Sequence, residues 1–378
     1  MPYACKPVKI LYVLNAFSDG GAELGLLNLV ENGFFAGHDF VIYGLVKGRG
    51  TVRERLLELA GPARVRSLSG AANLSDFSLP VATARLAAAF RTERPDLVIL
   101  SLPQANLVGR IASLVVPEAM VVSFEHSMEY KRKVAHFLMA ATASLVDGVF
   151  FDHPETWQSI RAVFPRLAQG AAHYVPLTFV EPIDAPAPIP EGRRHCVTTM
   201  RLEPKKNHAA LFHAIRILLD RGYELDLTVA GEGPMRPSLE RLIKKLGLGE
   251  RVSLVGFVQR PSELLRQFDT YILSSSREGL SRGVIEAMAA GLVVVSTDVG
   301  GIRDYGVHFQ NMIKATGTSP KALADAIGAA LDLGRDARHL QLAALRTVER
   351  HFSGRVVRRH WNAAIAAVEQ RMQVRAAT

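Results

Sequence analysis

The chain has 378 residues, 48% of them apolar and 21% charged, and its formal net charge is +9. This length exceeds what one hydrophobic core usually serves, so two domains are expected, and the composition is that of a globular protein. The positive charge favours anionic partners such as nucleotides or phospholipid surfaces. No zinc knuckle or aromatic-basic signature indicates nucleic acid, so no nucleic-acid partner is expected.

Cys5 and Cys196 lie far apart in the sequence, which indicates neither a disulfide framework nor a metal site. No uncharged apolar run reaches about 18 residues, so no transmembrane helix is predicted. The apolar run Val8–Leu14 leads into Gly20-Gly21, which is typical of a first strand rather than of a signal peptide. The expected location is a reducing cytoplasm, and any membrane contact would be peripheral, at the inner membrane face.

Short apolar runs alternate with helical patterns from the N-terminus to about Val180. The predicted strands of this half are Val8–Asn15, Phe40–Leu45, Asp96–Ser101 and Met120–Phe124, and the predicted helices are Ala22–Gly33, Val52–Leu59, Val81–Arg91 and Asn106–Leu114. Continuous apolar strands between helices are typical of a parallel sheet covered on both faces. Residues 1–180 are therefore predicted to form one doubly wound domain.

The stretch Glu181–Gly192 holds four prolines in twelve residues, which disfavours a helix core and a sheet interior and predicts an interdomain linker. The alternation then restarts. Its predicted strands are His195–Met200, Leu225–Ala230, Val252–Leu254, Thr270–Leu273 and Leu292–Ser296, and its predicted helices are His208–Arg221, Pro237–Leu246, Ser262–Phe268, Gly283–Ala290, Pro320–Leu333, Ala337–Phe352 and Arg355–Arg371. The fold class is thus α/β, with two doubly wound Rossmann-like domains facing a cleft, in which ligands are expected near strand ends.

Three short motifs follow predicted strands. Gly20-Gly21 lets backbone amides approach a phosphate, but such a pair is as often only a tight turn. Arg201 with Lys205-Lys206 puts cations at a strand end, which suits a diphosphate, although a charged surface loop is the alternative. Gly231-Glu-Gly-Pro234 by itself indicates only a turn.

The most informative stretch runs from Glu278 to Gly301. Glu278 lies in a predicted loop and Glu286 lies in the first turns of the next predicted helix, so both carboxylates can face one cleft. Each can accept a pair of hydrogen bonds from hydroxyl groups, as recognition of a polyol requires. Gly300-Gly301 repeats the phosphate-friendly turn at the following strand end. For an arbitrary pair of glutamates at this spacing, solvated helix charges would be the default interpretation.

This stretch resembles the signature of the retaining glycosyltransferases of family 4, which have the GT-B fold. The resemblance covers nearly the whole chain in order. The other matching elements are Gly20-Gly21-Ala22-Glu23, Glu125-His126, Arg201 with Lys206-Asn207, Gly231-Glu232-Gly233-Pro234 and Gly256-Phe257.

The resemblance implies a role for each matching residue. Arg201 and Lys206 would neutralise the donor diphosphate, Glu286 would hold the ribose hydroxyls and Glu278 would hold hydroxyls of the donor sugar. His126 would contact the donor sugar near the reacting carbon. The backbone of the Gly256-Phe257 loop would hold the nucleobase. The remaining residues expected to bind substrate are Gly20, Gly21, Gly231, Gly233, Phe257, Gly279 and Leu280. Neither a metal nor a cofactor is implied, since fixed cations and amides can stabilise the departing diphosphate.

The sequence also departs from the family pattern. Leu292 stands where proline is usual, and Ser281-Arg282-Gly283 replaces a more typical turn. Arg282 would either alter donor choice or point to solvent. The basic trio Lys131–Lys133 would meet an acceptor phosphate or lipid head groups, or form a solvated face. The arginine-rich stretch from Arg335 to Arg375 has the same alternatives, a solvated face or attraction to an anionic membrane.

The function expected from these features is transfer of a hexosyl group, with retention, from a UDP- or GDP-sugar to a glycan or lipid-linked acceptor in cell-surface polysaccharide or glycolipid synthesis. A non-catalytic GT-B partner protein, a GT-B phosphorylase and a GT-B nucleotide-sugar epimerase are the alternatives. A Rossmann oxidoreductase is disfavoured because its glycine fingerprint and downstream ribose acid are missing. The C-terminal helix, residues 355–378, is expected to cross back to the first domain.

Overall fold

The computed structural model describes residues 7–75, 78–126, 133–163, 165 and 171–377. Cys5, Lys131 and Arg132 therefore lie outside the described residues. The chain divides into two compact units, of which the first comprises the residues up to Phe179 together with those from Val357 onward. The second unit is Val180–Val356. Within the described ranges, no helix has the length and apolar character needed to cross a bilayer.

All named strands belong to two parallel sheets. The strands are β1 (Lys9–Ala16), β2 (Asp39–Val46), β3 (Val65–Ser67), β4 (Leu97–Ser101), β5 (Met120–Glu125), β6 (Gly148–Phe151) and β7 (Ala171–Tyr174) in the first unit, and β8 (Arg194–Thr199), β9 (Leu225–Ala230), β10 (Val252–Gly256), β11 (Thr270–Leu273), β12 (Val293–Thr297) and β13 (Ile313–Ala315) in the second.

Helices connect these strands. They are α1 (Gly21–Glu31), α2 (Val52–Ala60), α3 (Leu79–Glu93), α4 (Pro103–Ala112), α5 (Lys133–Ala141), α6 (Pro154–Val163), α7 (His208–Asp220), α8 (Arg236–Lys245), α9 (Pro261–Leu265), α10 (Arg282–Ala289), α11 (Ile302–Tyr305), α12 (Pro320–Asp332), α13 (Arg338–His351) and α14 (Gly354–Ala377). Short 3₁₀ turns occur at Ser113–Val115, Ala143–Leu145, Pro204–Lys206 and Gly334–Ala337.

The sheet of the first unit has the strand order β3-β2-β1-β4-β5-β6-β7, so the order reverses between β1 and β4. Every residue of β4 is buried, because helices cover both faces of the sheet. Separate apolar clusters lie on the two faces, one around Tyr12 and Phe150 and the other around Leu11 and Leu100. In such sheets, ligands bind beyond the carboxyl ends of the strands at the reversal.

The sheet of the second unit repeats the pattern, with the order β10-β9-β8-β11-β12-β13 and the reversal between β8 and β11. Apolar clusters again cover both faces, around Phe212 and Ile272 on one side and around Met288 and Val294 on the other. The predicted α/β class with two doubly wound parallel sheets is therefore confirmed.

Differences from the predicted elements are small and have local causes. Strands β3 and β13 span three residues each, which is too short to show a hydrophobic periodicity in the sequence. Helix α4 begins at Pro103 rather than Asn106, because proline fits the first turn, where its missing N–H would have no helical partner. Helix α9 ends at Leu265 instead of Phe268.

The proline-rich segment Glu181–Gly192 packs on the second unit. The amide of Ile183 donates to the carbonyl of Ala289 at 3.0 Å, and Gln341 Nε2 donates to the carbonyl of Ala187 at 3.4 Å. The segment therefore has fixed neighbours in that unit, while its role as a linker stays a prediction.

From Val357 onward, helix α14 completes the core of the first unit. Trp361 is 1% exposed, and its ring lies edge-on to Phe35 and Phe150 at centroid distances of 5.2 Å and 6.4 Å. Edge-to-face aromatic pairs of this kind add to the free energy of apolar burial. The helix is therefore part of the first unit's core.

Three of the C-terminal arginines bind backbone carbonyls within the first unit. Arg358 donates to the carbonyl of Asn32 at 2.5 Å. Arg371 donates to the carbonyl of Asp147 at 2.6 Å, and Arg375 donates to that of Pro117 at 2.7 Å. Because guanidinium groups here satisfy chain carbonyls, part of the basic excess attaches helix α14 to its own unit. A membrane role for the other arginines stays a prediction.

Replacing Trp361 with alanine should destabilise the first unit by about 3–5 kcal/mol, because it removes a fully buried indole and leaves a cavity. Urea unfolding monitored separately for each unit would measure the loss. Val374 is 61% exposed on the same helix, so Val374→Ala should change stability by less than about 0.5 kcal/mol. Equal losses for both variants would contradict the packing role assigned to Trp361.

Candidate functional site

Three loops meet at the carboxyl edge of the second unit's sheet, after β8, β11 and β12. Their polar groups tie them together. Ser274 Oγ donates to the carbonyl of Lys206 at 2.8 Å, and Thr297 Oγ1 donates to the carbonyl of Ser275 at 2.7 Å. The loop after β11, which carries Glu278, is therefore held from both neighbouring strand ends.

Lys206 and Glu278 form an ion pair across these loops. Lys206 Nζ lies 2.6 Å from Glu278 Oε1, and the side chains are 16% and 9% exposed. Ser275 Oγ donates to the same carboxylate oxygen at 2.5 Å. A pair this sheltered is weakly screened, and removal of one partner would leave a poorly solvated charge. The structure thus brings together the predicted diphosphate cation and the predicted sugar-binding carboxylate.

Glu286 is paired in a similar way. Arg282 Nε donates to Glu286 Oε1 at 2.7 Å across one turn of helix α10, and Glu286 is 10% exposed. Of the two alternatives for Arg282, pointing to solvent is therefore wrong: its guanidinium binds the carboxylate expected to hold the ribose. Its effect on donor choice stays a prediction.

A buried tyrosine lies beneath both carboxylates. The Tyr271 hydroxyl is 3.3 Å from Thr199 Oγ1. Burial raises the pKa of Tyr271 well above its usual value, and the charges of Glu278 and Glu286 act in the same direction. Both carboxylates therefore influence one hydroxyl group, which stays protonated. Glu278 and Glu286 thus both lie near this hydroxyl, and their facing one cleft stays a prediction.

The Gly300-Gly301 turn supports the other side of the Glu278 loop. Gly300 has φ +54°, and a Cβ there would overlap the carbonyl oxygen of Glu278. The amide of Gly301 donates to the carbonyl of Gly279 at 2.8 Å, and the Tyr305 hydroxyl donates to that of Leu280 at 2.8 Å. The carbonyls of Gly279 and Leu280 are thus used inside the protein, and binding of substrate by these two residues stays a prediction.

The Gly231–Pro234 turn packs against the loop that carries Arg201. A Cβ at Gly231 would overlap the carbonyl oxygen of Met200, and a Cβ at Gly233 would meet that of Leu202. These glycines therefore allow two backbones to lie in contact, which is a role independent of any ligand. Arg201 itself is 70% exposed and bound to Glu203 at 3.0 Å.

Phe257 follows Gly256 at the end of β10, and its side chain is 62% exposed. The carbonyl of Gly256 accepts a hydrogen bond from the amide of Gly231 at 2.7 Å. The expected nucleobase loop is therefore attached to the glycine turn that positions Arg201. Nucleobase binding at Phe257 stays a prediction.

His126 lies in the first unit, just beyond the end of β5. Its Nε2 atom is 2.8 Å from Ser101 Oγ, and its Nδ1 atom is 2.9 Å from Asp152 Oδ2. Glu125, its neighbour in sequence, is engaged instead by Arg110 and Ser123 inside the unit. The sequence did not predict a role for Asp152 or Ser101. Ser101 ends β4 and Asp152 directly follows β6, and these positions at the ends of the strands next to β5 are the sequence signal for both residues.

Gly20-Gly21 forms the start of helix α1 in the same unit. Gly20 precedes the first helical residue, and the Glu23 carboxylate folds back over Gly20, 8% exposed. Burial raises the pKa of Glu23, while a backbone hydrogen bond and the nearby His126 oppose that shift. A carboxylate of the chain itself thus lies at the helix N-terminus, where a ligand anion was predicted.

Comparisons with known proteins bear on both units. Residues 180–346 match the family model described as Glycosyl transferases group 1. One relative is the Campylobacter jejuni N-acetylgalactosamine-N,N'-diacetylbacillosaminyl-diphospho-undecaprenol 4-alpha-N-acetylgalactosaminyltransferase. The chain is 38% identical to it over 98 residues, and this match covers 26% of this chain and 26% of that one. The chain is also 30% identical over 159 residues to the uncharacterized glycosyltransferase YqgM of Bacillus subtilis, covering 42% of this chain and 44% of that one. The chain thus matches less than half the length of these curated relatives.

The whole chain also resembles solved structures. Anabaena Alr3699/HepE in complex with UDP-glucose superposes with a TM-score of 0.78 at 18% identity, over 95% of this chain and 100% of that one. The two doubly wound parallel sheets, one after the other along the chain, and this similarity together identify the architecture. The fold is GT-B. The match to the group 1 glycosyltransferase model falls within the second unit.

The variant Gly300→Ala should destabilise the second unit by more than about 2 kcal/mol, because an alanine at positive φ is strained and its Cβ meets a backbone carbonyl. Chemical denaturation of the purified variant would measure this. Gly317→Ala is the control, since its Cβ would meet nothing nearer than 3.9 Å. A stability loss no larger than that of the control would contradict the steric role of Gly300.

His208 follows the basic loop and begins helix α7. It is 2% exposed, and neither ring nitrogen has a hydrogen-bond partner among the described residues. Burial lowers the pKa of His208 from 6.5 to about 4, and the charge of Lys206 acts in the same direction. The folded protein therefore holds this ring neutral at pH values where the unfolded chain would bind a proton.

This lowered pKa predicts that stability falls as pH drops through 6.5 towards 4. The contribution of His208 should fall by about 2 kcal/mol between about pH 7 and about pH 5. Denaturant unfolding at both pH values would show it as a pH dependence that His208→Leu reduces. The exposed His213, on the same helix, gives the control variant His213→Leu. Equal pH dependence in both variants would refute the assignment to His208.

Proposed function

We propose that this GT-B protein is a glycosyltransferase that moves a hexosyl group from a UDP- or GDP-sugar to a glycan or lipid-linked acceptor. The reaction would retain the anomeric configuration, need no metal, and serve cell-surface polysaccharide or glycolipid synthesis. The observation that carries the proposal is the pairing of Lys206 with Glu278, 2.6 Å apart, beside Glu286 at the reversal edge of the second unit's sheet. Cations and carboxylates at one such edge suit a ligand that has both phosphates and hydroxyls.

The proposed chemistry centres on the leaving group. As the bond between the sugar and the diphosphate breaks, negative charge grows on the diphosphate. Lys206 is fixed by Ser274 through its own carbonyl and by Glu278 through its ammonium group. A cation that is already oriented can stabilise that charge without reorganisation. Such preorganised electrostatic stabilisation is usually the largest single contribution to catalysis. The exposed Arg201 would add a second, adaptable cation.

The proposed role of the two glutamates is to accept hydrogen bonds from hydroxyl groups. Glu286, on helix α10, would accept those of the ribose, and Glu278 would accept those of the donor sugar. Each carboxylate has two oxygens, and the named ion pairs use Oε1 in both cases. A carboxylate oxygen can accept more than one donor, so binding of hydroxyls does not require the ion pairs to break.

The proposed acceptor class is supported by a relative's name. The Campylobacter protein, whose name specifies a diphospho-undecaprenol acceptor, shares 38% identity over 98 residues with this chain. A lipid-linked acceptor would place the enzyme at the inner membrane face, in peripheral contact with anionic lipid. The arginines of helix α14 that do not bind chain carbonyls would face that surface.

A panel of UDP- and GDP-sugars tests the proposal. Binding heats would identify the donor, and nucleotide release in the presence of membrane extract would report transfer. Binding without nucleotide release under any acceptor condition would favour the non-catalytic partner. Interconversion of the donor sugar without transfer would favour the epimerase. A chain that binds no donor at all would refute the proposal.

Glu286→Ala should weaken nucleotide binding about 10- to 100-fold, because the ribose hydroxyls would lose a charged acceptor. Isothermal titration with UDP and GDP would measure this. The control is Glu240→Ala, which removes a carboxylate from an Arg236–Glu240 pair with the same helical spacing and a distance of 2.9 Å. Unchanged affinity in Glu286→Ala would show that the ribose site lies elsewhere.

A further inference from the structure

Three polar side chains from neighbouring strand ends of the first unit form one hydrogen-bonded chain. Ser101 ends β4, His126 follows β5 and Asp152 follows β6. The imidazole of His126 lies 2.8 Å from Ser101 Oγ through Nε2 and 2.9 Å from Asp152 Oδ2 through Nδ1. The side chains of His126 and Asp152 are 11% and 15% exposed. The imidazole is therefore held at both nitrogens in a largely sheltered position.

Packing restrains the same ring. The ring of Phe124 lies against that of His126 with centroids 4.6 Å apart. Tyr12, from β1, is fully buried. Burial raises its pKa, a side-chain hydrogen bond with Ser101 opposes that shift, and the charges of Glu23 and Asp152 add to it. The carboxyl groups of Asp152 and Glu23 thus both act on an imidazole whose position is set by strand ends and by an aromatic neighbour.

The hydrogen-bond directions in this chain follow from the acids and bases involved. An ionised carboxylate only accepts, so Nδ1 must carry the proton that it shares with Asp152. In the neutral ring, Nε2 then has a lone pair, and the Ser101 hydroxyl donates to it. A carboxylate that accepts from one ring nitrogen is the general means by which proteins select a histidine tautomer.

We propose that Asp152 is a positioning residue that fixes His126 as the Nδ1–H tautomer, so that Nε2 presents a lone pair to a sugar hydroxyl. The Ser101 hydroxyl, 2.8 Å from Nε2, would give way to that sugar hydroxyl. This inference rests on the proposed function for the identity of the ligand, a sugar with a free hydroxyl group at the contact. The tautomer itself is a property of the first unit alone.

The tautomer can be measured directly on the full chain. Histidines labelled with nitrogen-15 give distinct signals for protonated and unprotonated ring nitrogens, and loss of a signal set in His126→Ala assigns His126. At about pH 8 we expect a protonated Nδ1 and an unprotonated Nε2. A protonated Nε2 in the unmodified protein would overturn the proposal.

Asp152→Asn should shift His126 towards the Nε2–H tautomer, because an amide N–H can donate to Nδ1. Asp152→Glu keeps a carboxylate and should preserve the Nδ1–H form, which also serves if the asparagine variant folds poorly. Asp39→Asn makes the same chemical change at an exposed position of the first unit and should leave the His126 signals unchanged. Identical signals in Asp152→Asn and the unmodified protein would contradict the role of Asp152.

Kinetics test whether the tautomer matters for transfer. Asp152→Asn should lower kcat/KM for the donor about 10- to 100-fold, the cost of a lost hydrogen bond to substrate. In a His126→Ala background the same substitution should have no further effect, because Asp152 would act only through the imidazole. Additive losses in the double variant would overturn the positioning role.

The two readouts separate this inference from the proposed function. If no donor is turned over, the proposed function fails, and the nitrogen-15 signals still decide the tautomer. If donors are turned over while His126 carries its proton on Nε2, the proposed function stands and the inference fails.

Discussion

The ion pair between Lys206 and Glu278 is the interaction on which the candidate site depends. It joins the loop after β8 to the loop after β11, at the point where the strand order reverses. Both charges are sheltered, so each would be costly without the other. Hydroxyl groups of Ser274 and Thr297 add cross-links to the same loops. The position of Glu278 is therefore set by the sheet rather than by a flexible loop.

Close approach of backbones makes this arrangement possible. Gly231 and Gly233 let their turn pack directly against the Arg201 loop. Gly300 likewise lets its own backbone pack against the carbonyl group of Glu278. In a sequence, such glycines look like phosphate-binding turns, because both uses need a backbone without a Cβ. At Gly231 and Gly300, carbonyl groups of the chain itself occupy the space that a Cβ atom would need. Packing alone would require glycine there, whatever these residues also bind.

The sequence predicted the two sheets, since apolar runs are local signals, and its spacing singled out Glu278 and Glu286, which both lie near the Tyr271 hydroxyl. It did not predict the pairing of Arg282 with Glu286 or of Asp152 with His126. The one-turn spacing of Arg282 and Glu286 on a predicted helix is a sequence signal for their ion pair. Asp152 is remote from His126 in sequence, and their contact follows from the pairing of β5 with β6. Short strands such as β13 were also missed, since their pairing is decided by tertiary contacts.

Three cations of the candidate site are each paired with a carboxylate, and this bears on how the site would choose a ligand. Lys206 is paired with Glu278, Arg282 with Glu286, and Arg201 with Glu203. A diphosphate alone would meet cations whose charge is already shared with carboxylates. A nucleotide sugar also brings hydroxyl groups, which can donate to the carboxylate oxygens without breaking the ion pairs, so that each carboxylate attracts its cation less strongly. Under the proposed function, recognition of sugar and neutralisation of diphosphate are therefore coupled through the same ion pairs, and selectivity for the complete donor follows from that coupling.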